Sequence, residues 1–275
     1  LPGNAQTQIT YSLDLAGLPF EPDVLIVATS ANVRLAVLKA IYKVCRPKAL
    51  LLEKLLFQDL NEFEDAEKLF GDDLDRVWVN TARRVMHAHH QIKSFFSGTT
   101  INGLTASGGL WGMGTSCIHL VDLLDFYQPG QVHAVTTRAL DDDIPHSKRP
   151  GFREITGTLC GQLGAAYFLI TSSPNSKAPL RLFIEAEDRF CVVEESEGRV
   201  VFGHSTAGAE IEEKHLRFDY ISDTTTVVLE AILTNQLVHL PNFATSAALH
   251  RPLLSALGPY FAARLGTPET FVPLT

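Results

Sequence analysis

A lysine and a histidine are the two side chains of this sequence best placed for chemistry. Lys54 closes the run Ala49-Leu50-Leu51-Leu52-Glu53-Lys54, which reads as a strand buried on both faces. Open α/β sheets bind ligands in the crevice outside the carboxyl ends of their strands, so an amine there is placed for chemistry. His119 follows the Gly-rich stretch Gly108 to Gly114 and precedes Asp122 by one helical turn, which puts imidazole and carboxylate on one helical face. Imidazole titrates near neutrality and can take or return a hydroxyl proton. Together Lys54 and His119 read as a redox active site. Singly, each is a solvated strand-end lysine or a histidine packed within a helix, and Asp122 either orients His119 or faces solvent.

Other reactive side chains make weaker cases. His87, His89 and His90 form an H-x-H-H cluster, but no carboxylate or cysteine completes a ligand set, and no metal is expected. Ser116 or Cys117 with His119 would make a hydrolase pair, yet residues so close in one helix cannot aim at a common reacting atom. Arg83 and Arg84 follow a strand end, where an arginine contacts an anionic substrate group or joins an ion pair. Trp111, beside Gly112, either stacks on a sugar or anchors its loop by packing.

The elements that must hold these groups alternate. Asp23 to Ser30 reads as a buried strand, and Ala31 to Cys45 as a helix with Val33, Ala36, Val37, Ala40 and Ile41 at helical spacing. Arg46-Pro47-Lys48 stops that helix before the strand that ends at Lys54. A helix over Leu60 to Phe70 and a strand over Arg76 to Asn80 continue the pattern, which predicts a parallel sheet with Ser30, Lys54 and Asn80 facing one crevice. From Thr81 the style changes. Helices near Ala88 to Phe96 and Ser116 to Phe126 precede short β runs at Val132–Ala139, Ile155–Cys160, Ala166–Thr171, Leu180–Ala186, Arg189–Glu195 and Arg199–Phe202, which read as an antiparallel meander. Helices near Thr225 to Leu233 and Ser246 to Ala263 close the chain.

The expected fold class is α/β plus α+β. Residues 1–82 form a partial Rossmann-like domain with a parallel sheet, and residues 83–275 a substrate-binding and oligomerisation domain on an open, mainly antiparallel sheet. The segment from Asp141-Asp142-Asp143 to Pro150-Gly151 is expected to be a solvated loop, or else a lid or subunit contact.

Composition narrows the function. A chain of 275 residues that is 45% hydrophobic can bury a core. A net charge of −8 gives no average attraction to nucleic acid or to an anionic membrane, which leaves small molecules or other proteins as partners. No apolar run reaches the roughly 18 residues of a membrane span, and Leu1-Pro2-Gly3-Asn4 has no signal pattern. A soluble, cytoplasmic protein is expected. Cys45, Cys117, Cys160 and Cys191 form no C-x-x-C pair and are expected to be reduced and mostly buried.

Four segments carry a family resemblance: Asp23 to Ser30 with its Ala-Thr end, Leu52-Glu53-Lys54 in place of a Glu-Lys-Pro motif, Gly114 to Asp122 as G-x-x-x-x-H-x-x-D, and Leu240-Pro241-Asn242-Phe243 leading to His250. In order and spacing the chain resembles the glucose-fructose oxidoreductase, inositol dehydrogenase and rhizopine-catabolism (Gfo/Idh/MocA) family over nearly its whole length. Asn80-Thr81-Ala82-Arg83-Arg84 and Trp111-Gly112 are most similar to members from bacterial polysaccharide and sugar biosynthesis. The resemblance implies an oxidoreductase that uses NAD or NADP to move hydride to or from a hydroxyl or keto group of a sugar or nucleotide-sugar. It implies that Lys54 holds the substrate hydroxyl and the nicotinamide ribose, with His119 as general acid or base. It assigns Ala28, Thr29, Ser30 and Arg34, together with Glu53, Lys54 and Asn80, to the cofactor, and Arg84, Trp111, Thr115 and Asp122 to the substrate. It also implies a homo-oligomer formed through the open sheet, with alternating Leu180, Leu182 and Ile184 as the apolar patch.

The departures from the family pattern matter as well. The family opens on a strand, a G-x-G-x-x-G turn and a helix whose N-terminus cradles the pyrophosphate. Residues 1–22 contain no such turn, and Gly112-Met113-Gly114 comes too late and lacks the third glycine. The 275 residues are therefore expected to bind a dinucleotide weakly, with an N-terminal deletion or an unsupplied segment as the expected reason. Leu55 replaces the family's proline, and Thr115 stands where many members carry an Asp, which speaks against simple inositol-type chemistry. The alternative reading is a non-catalytic binding or regulatory protein that retains the fold. The missing turn and Thr115 favour it, while Lys54 and His119 oppose it.

Overall fold

Three short strands and the helices between them carry one wall of the site. The structure, a computed structural model, describes residues 11–15, 17–205, 208 and 211–275; the Leu1 to Asn4 start lies outside the described residues. Strands β1 (Leu25–Val27), β2 (Leu50–Leu52) and β3 (Val77–Val79) pair in parallel in that order, with Leu25 opposite Leu50 and Leu50 opposite Val77. All of β2 is buried, as a central strand between packed layers must be. Helix α1 (Ala31–Val44) buries Leu35, Leu38 and Ile41 at three- and four-residue spacing, and α2 (Asn61–Phe70) buries Phe63, Ala66 and Phe70 in the same way. This parallel pairing carries Ala28 to Ser30, Glu53 with Lys54, and Asn80 to one end of the sheet, as the alternation predicts. The Lys54–Leu55 peptide is cis.

The larger sheet has eight strands: β4 (Ile101–Gly108), β5 (Val132–Leu140), β6 (Gly157–Leu163), β7 (Ala166–Ser172), β8 (Arg181–Ala186), β9 (Arg189–Glu194), β10 (Arg199–His204) and β11 (Ile211–His215). Their order is β11-β10-β9-β8-β4-β7-β6-β5, antiparallel throughout except where β4 runs parallel to β7. Sequence reading missed β4 and β11. In β4, the run Ile101-Asn102-Gly103-Leu104-Thr105-Ala106-Ser107-Gly108 has little intrinsic strand preference, and it becomes a strand because β7 and β8 bond it on both sides. Its Gly103 lies against the Tyr167 ring, where a Cβ would stand 2.5 Å from the ring carbons. Strand β11 is exposed along its length and reads Ile-Glu-Glu-Lys-His, the charged composition of a protected edge.

Helix α4 (Met113–Tyr127) packs on the covered face of this sheet and is buried nearly all round. The sequence expectation for the open face is one residue out of phase. Leu182 and Ile184 are 1% and 0% exposed and point into the core, while Phe183 between them is 36% exposed and points outward. Strand side chains alternate, so a single-residue slip moves a whole set to the other face.

Two further helices precede α4 and follow the sheet: α3 (His87–Phe95) and, later, α5 (Ile221–Leu233). The last helix, α6 (Phe243–Leu265), starts where Asn242 accepts the Thr245 N–H at 2.9 Å, which is the usual role of an N-cap asparagine. On α6, His250 is fully buried. Its Nδ1 hydrogen-bonds the Ser246 carbonyl at 2.8 Å, its ring lies 6.3 Å from Phe63, and its Nε2 has no partner. The chain then returns to the small sheet, where Val272 N–H donates to the Gln58 carbonyl at 2.8 Å and Ala31 N–H to Thr275 Oγ1 at 3.1 Å. No described helix is long and apolar enough to cross a membrane.

Candidate active site

The ends of β1 and β2, the turn from β4 into α4, and residues 145–156 enclose a cleft of about 840 Å³. Ala28 and Thr29 come from the first strand end, Glu53 and Lys54 from the second, Trp111, Gly112 and Thr115 from the turn, and Lys148, Arg149 and Glu154 from the last segment. Lys54 Nζ donates to the Thr115 carbonyl at 2.8 Å. That carbonyl belongs to the helical turn just before His119, and helical side chains lean back over the preceding turn, so the strand-end amine and the imidazole share one turn of α4. Burial pulls the Lys54 ammonium below its ordinary pKa; Glu53 opposes this and Arg149 adds to it. Burial, then the charges of Arg83 and Lys54, hold His119 well below the ordinary histidine value. Its ring is therefore neutral at physiological pH. His119 Nδ1 is enclosed without a hydrogen-bond partner, while the residue as a whole is half-buried and does not line this cleft.

Glu154 is the acidic group that sequence reasoning missed. Its Oε2 accepts the Gly114 N–H at 2.8 Å, at the open amino end of α4, where a carboxylate is favoured. Burial raises its carboxyl above the ordinary value, against the pull of that amide. The glycines make this contact possible. Gly112 starts the helix at φ 77°, and a Cβ on Gly114 would stand 3.0 Å from Glu154 Oε2. The Gly-rich run was the available signal, but nothing near Glu154 in sequence tied it to residues so far away. The same run passes beneath the link from β7 to β8: Ser173 N–H bonds the Gly108 carbonyl and Gly109 N–H bonds the Ala178 carbonyl, both at 2.9 Å.

Several residues assigned to the site by resemblance are engaged elsewhere. Arg34 does line the cleft, but it is 1% exposed and directs its guanidinium to the carbonyls of Thr29, Leu55 and Leu56, so it ties two cleft loops together by hydrogen bonds. Ser30 Oγ donates to Asn32 Oδ1 at 2.7 Å, and Asn80 Nδ2 to Glu53 Oε1 at 2.7 Å; neither residue lines the cleft. Arg84 and Asp122 are also away from the cleft wall. They pair with each other at 2.7 Å, and Arg84 reaches Asp125 at the same distance, in a buried cluster. Arg83 binds both oxygens of Glu195 at 2.8 Å, and His89 lies between Glu195 and the Tyr127 hydroxyl. His90 stacks edge-on against His239, with ring centres 4.6 Å apart. Burial pushes the Cys117 thiol up to about 12, which leaves it un-ionised and a poor nucleophile. Trp111 does line the cleft, held by its indole N–H on the Thr171 carbonyl at 3.0 Å, and Thr115 lines it with its hydroxyl donated to the Gly112 carbonyl.

A UDP-N-acetylglucosamine 3-dehydrogenase, GnnA from Acidithiobacillus ferrooxidans, superposes with a TM-score of 0.66 at 14% identity, over 85% of this chain and 77% of the other. An oxidoreductase from Agrobacterium radiobacter, solved with NAD+, L-tartaric acid and magnesium, gives 0.65 at 13% identity over 89% and 79%. The chain has the Gfo/Idh/MocA fold. The super-repressor mutant of Gal80p from Saccharomyces cerevisiae is similar too, with a TM-score of 0.63 at 16% identity over 88% and 78%. No protein-family model and no curated protein matches the chain in sequence.

Part of this Gfo/Idh/MocA fold fits a nicotinamide cofactor and part does not. At the strand ends, the buried Thr29 Oγ1 has no partner and lies beside Glu53 and Lys54 in the cleft wall, a polar set that suits a ribose. The amino end of α1 does not offer the same to a pyrophosphate. Its first amide, that of Ala31, is already bonded to Thr275 Oγ1, and the strand before it ends without a glycine-rich turn.

Proposed function

We propose that the chain is the catalytic part of an NAD(P)-dependent oxidoreductase that acts on a hydroxyl or keto group of a sugar or nucleotide-sugar. The observation that carries this reading is the Lys54 ammonium fixed against the Thr115 carbonyl, one turn before His119. Ala28, Thr29, Glu53 and Lys54 would hold the nicotinamide end of the cofactor, which when bound supplies the hydride acceptor or donor. In the oxidation direction the substrate carbon loses a hydride and its hydroxyl loses a proton. Lys54 stabilises the oxygen as charge builds on it, and the neutral ring of His119, which does not line the cleft, takes the proton through a bridging water. Trp111 provides a flat wall for the sugar ring. The four free cysteines fit a reducing, cytoplasmic setting.

The test is turnover of UDP-sugars and free sugars with NAD+ and NADP+, by this chain and by a longer form carrying a glycine-rich turn ahead of β1. Lys54→Met should lower turnover by on the order of a hundred-fold or more with the fold intact, and His119→Asn should lower it with an altered pH profile. Full turnover in Lys54→Met would overturn the reading. The absence of His119 from the cleft lining favours a second reading, a binding protein on the same fold. Ligand binding with no turnover in either form would establish it.

A further inference from the structure

The segment expected from sequence to be a solvated loop, or else a lid or subunit contact, is largely exposed and is also closed on itself as a hairpin. His146 and Arg153 pair across it, Ser147 N–H donates to the Phe152 carbonyl at 3.0 Å, and Phe152 N–H to the Arg149 carbonyl at 3.3 Å. Its base is anchored twice, by Glu154 N–H on the Pro145 carbonyl and by Arg153 N–H on the Pro273 carbonyl, each at 2.9 Å. Lys148 and Arg149 sit at its tip in the cleft wall, and neither side chain has an ion pair or hydrogen bond among the described residues. Lys54 and Arg34 line the same cleft, which makes four cations in its wall; the Arg34 guanidinium is taken up by backbone carbonyls, so Lys54, Lys148 and Arg149 are the three left to meet a ligand, in a chain whose net charge is −8. Glu53 and Glu154 are the acidic residues of the wall, and both are engaged, Glu53 by Asn80 and Glu154 by Gly114.

We infer that this hairpin tip is an anion-binding arm and that the ligand of the cleft carries a phosphoryl or diphosphoryl group. The inference rests on the reading of the cleft as the substrate site and narrows its substrate class. Like charges held close to one another repel, and an anion between them relieves that repulsion while gaining charge-assisted hydrogen bonds. A guanidinium beside an ammonium suits a group bearing two or more negative charges better than a single carboxylate. The arm needs little ordering on binding, because the hairpin is already closed by its own backbone. Leu110, 66% exposed, and Trp111 give the cleft an apolar flank, which suits a phosphorylated ligand that also carries a ring. Arg149 also bears on the charge state of Lys54, which places arm and amine in one electrostatic site.

Calorimetric titration of the chain with UDP, inorganic pyrophosphate and uridine tests this. UDP and pyrophosphate should bind more tightly than uridine, and raised salt should weaken both. The double variant Lys148→Ala/Arg149→Ala, altered only at exposed positions, should lose about ten-fold in affinity for UDP and pyrophosphate per cation removed, while uridine binding stays as it was. NAD+ added to the UDP complex of the longer form with the glycine-rich turn separates the two sources of phosphoryl group: displacement of UDP assigns the arm to the cofactor pyrophosphate, and joint binding assigns it to the substrate. UDP that binds no better than uridine, or a double variant with unchanged UDP affinity, would overturn the inference. The two proposals fail separately. If hydride transfer alone is wrong, UDP still binds through the arm but neither form turns over a sugar. If the arm alone is wrong, the double variant binds UDP and turns over as the parent does.

Discussion

His250 should make the fold sensitive to acid, by an amount that can be worked out. Its ring is fully buried on α6, Nδ1 is bonded to the Ser246 carbonyl, and Nε2 has no partner to share a proton with. Burial first, opposed by that carbonyl and reinforced by the charges of Arg34 and Lys54, takes its pKa from 6.5 down to about 4. Between those values the unfolded chain binds the proton and the folded chain does not. Its contribution to stability is thus complete above 6.5 and is lost as pH falls toward 4. At about 1.4 kcal/mol per tenfold in proton affinity, the loss is about 3 kcal/mol, a large part of the roughly 5–15 kcal/mol that holds a domain together. His250→Leu keeps the volume and removes the orphan nitrogen; the Ser246 carbonyl keeps its backbone partner, and the buried Ser246 hydroxyl loses a 3.3 Å contact with Nδ1, a cost that is the same at every pH. Urea unfolding of both proteins, followed by the fluorescence of Trp78 and Trp111, should give similar stability near neutral pH and a parent about 3 kcal/mol worse near pH 4. Parallel pH curves for the two proteins would refute the reasoning.

Three further outcomes are expected. The 275-residue chain should bind NAD+ and NADP+ weakly, since no glycine-rich turn stands ahead of β1 in it to cradle the pyrophosphate; a low-micromolar isotherm would contradict this. Arg84→Met should destabilise the fold by about 3–5 kcal/mol, because it leaves Asp122 and Asp125 buried without their cation; a change below about 1 kcal/mol in denaturant would show that the cluster is better hydrated than its burial indicates. We expect the open face of the large sheet to bring copies of the chain together around Phe183 and Leu169, so Phe183→Asp should give a smaller species in light scattering, and a monomeric parent would rule this out.

The first half of the fold was legible because its signals are local. Buried apolar runs separated by helical spacing place Lys54 at a strand end without any knowledge of tertiary structure. The Leu180 to Ala186 run was legible as a strand but not in phase, since leucine, phenylalanine and isoleucine stand side by side and hydrophobicity cannot say which alternate set is inside. Strand β4 was not legible, because its strand character comes from partners more than sixty residues away. Glu154 was lost for the same reason: its role is defined by a contact with Gly114, 40 residues distant. Arg84 and Asp122 look like site residues in sequence, and only packing shows that they pair with each other.

The position of β4 bears on how the chain reaches this structure. It is the first strand of the large sheet to be synthesised and lies near its middle, with both edges open until β7 and β8 exist. An open strand is a hazard during that wait. The glycines, asparagine, alanine and serine that hid β4 from sequence reading also make it a poor template for pairing with other chains. When β7 and β8 do arrive, residues 173–180 close over Gly108 and Gly109, where a Cβ on Gly109 would stand 2.2 Å from the Ser176 carbonyl oxygen. The turn that carries Trp111 and Gly112 is thus fixed only by a late, long-range closure. The binding cleft should be among the last parts of the molecule to take shape, with Trp111 reporting its completion after the small parallel sheet has formed.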